Sequence, residues 1–301
     1  MVLETRTTTS GTTRAAARTG FLRCLGAELF SARRRPGVRI AALLWGLQIA
    51  VFAYAAQYLV YRSMGEDLEA GQSAAMLAAM QPEQLGAYAA ASVPGYGIPV
   101  FVVLGALVAA GDYRWGVLRA ILVRFPARGT LLAARWVCLQ VLTLVLNVVG
   151  FLVALVGTAA VAVSEGGSPT VPSLGSVVVP FLTSWLIMVG YSTVGFTLGI
   201  VLRSVMAAAL CALGWLVAVE LLLIGSLAGA MRGFELLQHV LLTANAGSLV
   251  SALANTDRVA GTGLPGLASV NGPGLAALVV LAWTVVGLVT SIVVFRRRDV
   301  P

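Results

Sequence analysis

The sequence predicts an all-α polytopic membrane protein, and three observations carry that prediction. Of 301 residues, 59% are hydrophobic and only 11% charged, against about 25% charged in soluble domains. Mean hydropathy is +0.93. Six apolar runs are each long enough to cross a hydrocarbon core of roughly 30 Å, and polar or charged breaks separate them. A chain so poor in charge lacks the polar side chains to cover two water-exposed globules, so soluble catalytic folds are largely excluded.

The elements follow in chain order. A low-complexity tail, with Thr5, Thr7 to Thr9 and Gly11 to Thr13, is expected to be disordered over 1–17, leaving 18–301 as a single transmembrane domain. Phe21, Leu22, Leu25, Leu29 and Phe30 then recur at helical spacing among Arg18, Arg23 and Arg33, the pattern of a helix lying in the membrane interface. Arg33-Arg34-Arg35-Pro36 breaks it before the first span. The spans are expected at about 40–60, 93–110, 136–163, 176–202, 205–229 and 273–295. The second carries Pro94 and Pro99 and has room to begin near Leu85. Ala53-Tyr54-Ala55 has the small-x-small form of a cleavage site, but the long leader and the continuation through Val60 predict an uncleaved span.

Charge sorts by side. All 20 basic residues are arginine and 12 residues are acidic, a net +8; a lysine-free, Ala/Gly/Val/Leu/Arg-heavy chain also fits the codon bias of a GC-rich, bacterial genome. Segments 1–39, 111–135, 203–204 and 296–301 hold 17 arginines, and the opposite connections hold 3. Acidic residues lean the other way, with Glu66, Asp67, Glu69, Glu83, Glu165, Glu235 and Asp257 on the arginine-poor side. By the positive-inside rule both termini are cytoplasmic, in a multi-pass protein of the plasma membrane. A basic balance set by topology and anionic headgroups needs no nucleic-acid partner. Cys24, Cys138 and Cys211 lie far apart without CxxC spacing, so neither a disulfide framework nor a metal site is expected.

The connection after the second span is unusually long, at 111–135. Within it Trp115, Leu118, Leu122 and Phe125 fall on one helical face, Arg119 and Arg124 stand off it, and Pro126 ends the helix. A cytoplasmic amphipathic helix of this kind is more than a turn requires and reads as a docking surface. The order Asp112, Gly116, Leu118, Arg119, Leu122, Arg124, Pro126, Arg128 and Arg135 resembles the permease subunits of type 2 ABC (ATP-binding cassette) exporters. That family usually has glutamate at the first position, threonine after the glycine and lysine at the last; Asp112, Val117 and Arg135 depart from it. The stretch from Ala27-Glu28-Leu29 to Arg35, and the C-terminal Phe295-Arg296-Arg297-Arg298-Asp299, also look like the family.

The resemblance implies an interfacial elbow helix, a cytoplasmic coupling helix between spans 2 and 3, and a homo- or heterodimer of six-span subunits. It implies that Asp112, Arg114, Trp115, Leu118, Arg119, Leu122, Arg124, Phe125 and Arg128 bind a separate ATPase subunit, and that transport is export. The chain has no Gly-x-x-x-x-Gly-Lys-Ser/Thr loop and no lysine to build one. ATP and magnesium would therefore be bound on the partner, and no catalytic, cofactor or metal residue is assigned here. The outer connection 230–272 is apolar but broken by Asn245, Gly247 and Asn255. Short helices dipping into the outer leaflet fit it, as does an ordinary folded loop.

Glu220 is the sole acidic residue within a span, and a charge near the bilayer centre costs about 2.5–3.5 kcal/mol. It belongs either to a translocation path or subunit interface, or to packing as a protonated or hydrogen-bonded group. Gln140, Thr143 and Asn147, at i, i+3 and i+7, form a polar stripe that either lines a path or bonds a neighbouring helix. Gly195-x-x-x-Gly199 and Gly225-x-x-x-Gly229 have the spacing of close helix approach, and His239 reads as incidental. The competing functions are an intramembrane enzyme, a solitary six-span immunity or signalling protein, and a proton-coupled carrier. The first lacks HExxH, Gly-x-Ser-x-Gly or an aspartate pair; a co-purifying ATPase separates the other two from the permease. Few fixed charges in the spans suit a lipophilic small molecule, drug, natural product or lipid as cargo.

Overall fold

The computed structural model describes residues 10–64, 70–113, 128–168, 170, 172–227, 232–253 and 266–297, and every regular element among them is a helix. In chain order these are α1 (Ser10–Arg34), α2 (Pro36–Ser63), α3 (Ala70–Ala79), α4 (Pro82–Ala110) and α5 (Gly129–Ser164), then α6 (Leu174–Leu202), α7 (Val205–Leu227), α8 (Arg232–Gln238), α9 (Leu242–Ser251) and α10 (Pro273–Arg297). Six of them, α2, α4, α5, α6, α7 and α10, are long and apolar enough to cross a membrane. The shortest has 23 residues, and about 20 suffice at 1.5 Å per residue.

Helix α1 runs from Ser10 and so takes in much of the segment that composition assigned to a disordered tail; three consecutive alanines, Ala15 to Ala17, give that segment helix propensity. Arg35 separates α1 from α2 with φ −71° and ψ 122°, the extended conformation that a following proline imposes. Between α6 and α7 the chain turns on two residues. Arg203 takes the left-handed conformation, φ 54°, and its amide bonds the Gly199 carbonyl, while the Ser204 hydroxyl caps α7 by accepting from the Ala207 amide.

The second span starts at Pro82, close to the earlier start near Leu85 that the sequence allows and well before residue 93, because the alanine-rich stretch Leu85–Ala91 continues the helix into wider turns at Val93–Gly97 around Pro94. Of the six spans α4 is the most enclosed and α10 the least. Where α4 meets α6, backbones touch. A Cβ at Gly105 would lie 2.0 Å from the Ser192 carbonyl oxygen, and one at Gly195 2.0 Å from that of Val102. Only glycine permits that approach, which gains dispersion contacts that lipid tails cannot supply. Helices α2 and α5 mesh differently: Trp45 sits in the notch at Gly150 and donates from Nε1 to the Leu146 carbonyl at 3.0 Å, and Tyr54 lies over Gly157. Leu43, Val156, Met206 and Leu278 face outward, a surface that suits hydrocarbon.

Candidate functional site

At one end of the bundle four charged side chains meet. Asp112 stands just past the end of α4, and its Oδ1 accepts from Arg35 Nη2 at 2.7 Å. Its Oδ2 accepts from Arg135 Nη2, on the second turn of α5. Arg135 Nε donates in turn to Glu28 Oε1 of α1 at 2.9 Å. Arg35 Nη1 reaches the Leu107 carbonyl at 3.4 Å. Two cations and two anions thus tie α1, the α1–α2 joint, α4 and α5 together, with Arg135 only 1% exposed. Its Nη1 finds no partner among the described residues, which leaves the network imperfectly satisfied and sensitive to any change. Burial pushes the adjacent Cys24 thiol up, Glu28 adds to that rise, and Arg135 opposes it. The Arg203 guanidinium stands 6.0 Å from the centre of the Tyr113 ring, bringing the α6–α7 turn to the same corner.

This corner flanks the connection assigned to ATPase docking. Of the residues expected to dock, Asp112 lies in the network, and Arg128 opens the helix that continues as α5. Arg114, Trp115, Leu118, Arg119, Leu122, Arg124 and Phe125 lie outside the described residues.

At the opposite end Glu220 occupies a widened stretch of α7, Gly214–Ile224. Its Oε1 accepts from Trp215 Nε1 at 2.7 Å and its Oε2 from the Thr243 amide at 2.8 Å. Thr243 belongs to the first turn of α9, whose preceding residue, Leu241, has no capping side chain. Glu220 therefore supplies from another helix the acceptor that the start of α9 lacks, and a carboxylate there also opposes the positive end of the helix dipole. Helix α9 is buried against α4, α6, α7 and α10. Asn245 of α9 is tied up locally: its Nδ2 donates to the Leu241 carbonyl at 2.7 Å, and Asn271 Nδ2 donates to Asn245 Oδ1 at 2.6 Å and to the His239 carbonyl at 2.9 Å, while the buried Thr243 hydroxyl finds no partner among the described residues. The His239 ring pairs through Nδ1 with Asn271 Oδ1 at 2.6 Å, so this histidine ties the end of α8 to the chain before α10 and is not incidental.

The family described as Protein of unknown function (DUF2705) matches residues 51–301. The chain belongs to the DUF2705 family. No curated protein matches it. Within this DUF2705 protein the matched region includes Asp112, Arg135, Glu220 and Thr243, while Glu28 and Arg35 precede it.

The polar stripe of the DUF2705 chain turns toward α6. Asn147 Nδ2 donates to the Phe181 carbonyl at 2.9 Å and its Oδ1 accepts from the Ser184 hydroxyl at 2.9 Å. Thr143 donates to the Gln140 carbonyl at 2.9 Å and accepts from Trp185 Nε1 at 3.3 Å. Gln140 Nε2 is buried with no partner among the described residues. Asn147 and Thr143 thus act in helix–helix bonding, next to the turn of α6 that contains Pro180. The glycine pairs part company as well. Gly199 would set a Cβ 2.8 Å from that of Ala109, whereas a Cβ at Gly225 would meet nothing nearer than the Glu220 carbonyl at 3.6 Å. Sequence reasoning missed the roles of Trp215, Thr243 and Asn271. Their one signal was polar residues recurring in a stretch otherwise apolar enough for lipid.

Proposed function

We propose that this DUF2705 protein is the membrane-spanning permease subunit of an ATP-binding cassette exporter, acting as a homo- or heterodimer and driven by a separate ATPase subunit. The observation that carries the reading is the Glu28–Arg135–Asp112–Arg35 network. Asp112 and Arg135 bracket the connection that resembles a coupling helix, and they are ion-paired to each other and to the elbow. A push on that connection would be delivered to α4, α5 and the α1–α2 joint as one body. Without the network it would be absorbed by bending at the helix ends.

Cargo is lipophilic in this reading, because Asn147 and Thr143 are spent on helix packing and Glu220 on capping α9. That use of Glu220 also weighs against a proton-coupled carrier, which needs a carboxylate free to change partners. Arginine sorting supports the cytoplasmic termini and the plasma membrane, and the family resemblance supports export. The test is co-purification: the tagged chain should bring down a soluble P-loop ATPase from its own host and stimulate its ATP hydrolysis. Leu118→Asp should abolish that stimulation while the protein stays monodisperse. If no ATPase accompanies the chain and Leu118→Asp leaves function intact, the reading fails.

A further inference from the structure

Four arginines cluster at the α1–α2 joint, and among the described residues only Arg35 is ion-paired. Arg35 turns to Asp112, while Arg33, Arg34 and Arg39 have no acidic partner among the described residues. These three line a cavity of about 460 Å³ together with Phe30. Two of the guanidinium groups are held by contacts that leave bonding edges free. Arg39 Nε donates to the Arg33 carbonyl at 3.1 Å, which leaves both its Nη groups available. The Arg34 guanidinium lies 4.5 Å from the centre of the Phe30 ring, a cation–π contact that spends no donor. Guanidinium forks so arranged match the oxygens of a phosphate.

The residues that follow Arg39 along α2 point to what carries the phosphate. Leu43 and Leu47 follow Arg39 at i+4 and i+8, which places them on the same face of α2, about 6 and 12 Å further into the span. They are 72% and 60% exposed. A charged pocket one helical turn from an apolar stripe of a membrane-spanning helix has the polarity of a phospholipid, head group first and acyl chain after. We infer that the α1–α2 joint is a binding site for an anionic phospholipid, with its phosphate on Arg33, Arg34 and Arg39 and an acyl chain along Leu43 and Leu47. Three uncompensated cations select a lipid of net negative charge over phosphatidylcholine, whose own quaternary ammonium they repel. The inference needs the chain to span a membrane and does not depend on its being a permease.

The test uses the full-length protein in detergent, titrated with phosphatidylglycerol or phosphatidylcholine, with bound lipid counted by native mass spectrometry. Phosphatidylglycerol should stay bound where phosphatidylcholine does not, and R33Q/R34Q/R39Q should weaken its binding by about tenfold or more. R296Q/R297Q, which removes two arginines at the end of α10, should leave it unchanged. L43S/L47S should weaken phosphatidylglycerol without altering competition by inorganic phosphate, so the acyl part is read separately from the charged part. Each variant is first matched to wild type in thermal melting. Equal binding of both lipids, equal loss in the two arginine variants, or full displacement by inorganic phosphate at the lipid's own concentration would each overturn the site.

Discussion

Arg135 is the side chain through which the charged corner is connected, since among the described residues it alone touches both carboxylates. Removing one member of a buried ion pair costs about 3–5 kcal/mol because the charge left behind is neither solvated nor matched. Arg135→Gln should therefore lower the melting temperature of the protein in detergent by far more than a surface substitution. Arg135→Lys should fall between, because an ammonium keeps the charge but cannot span Glu28 and Asp112 as a fork does. Adding Asp112→Asn to Arg135→Gln should recover part of the loss, and strict additivity of the two would show that no coupling exists. Asp112 and Arg135 stood out in the sequence as the two ends of one connection, yet nothing in their spacing told that they meet. Glu220 shows the same limit: its place in a span was evident, but its partner lies on a helix 23 residues later whose start carries no cap of its own.

Helix packing depends on which glycines face a neighbour. Gly195→Ala should destabilise the α4–α6 pair by about 1–3 kcal/mol or more, since the new methyl would overlap the Val102 carbonyl and backbone must shift. Gly225→Ala has room and should be neutral or slightly stabilising, because alanine is the better helix former. Thermal melting of the two variants side by side checks this, and equal effects would sink the packing argument. Both glycines belong to Gly-x-x-x-Gly pairs in the sequence, and spacing alone could not separate them. Cores of the spans were legible because twenty apolar residues have few other destinations. The start of α4 was legible only to within a few residues, near Leu85 against the observed Pro82, since Leu85 to Ala91 is mostly alanine and two prolines follow it. Helix α9 was legible in part, since short helices and a folded loop both fitted 230–272. Asn245 and Gly247 look like loop residues until Asn271 takes up the amide and the Gly266 carbonyl is seen 2.2 Å from where a Cβ of Gly247 would stand.

On the scale of the whole molecule α5 acts as a strut pinned at both ends. Its 36 residues make about 54 Å of helix, roughly 24 Å more than the hydrocarbon core requires. Arg135 is bound to Glu28 and Asp112 near one end, and just past the other Glu165 accepts from the Tyr58 hydroxyl at 2.8 Å and lies 3.8 Å from Arg62. A helix of that length that crosses the membrane has room to keep both bound ends outside the hydrocarbon, where charge is tolerated, with α1 held against α5 at one end and α2 at the other. The arginine-rich end is expected to be cytoplasmic. In a cysteine-free background, Ser168→Cys, just beyond α5 at the Glu165 end, should react with an impermeant maleimide on intact cells. Arg297→Cys, at the end of α10, should react only after the membrane is permeabilised. The opposite labelling pattern would put Asp112 and the connection it begins outside the cell, beyond reach of any cytoplasmic ATPase, and the permease reading would fall with it.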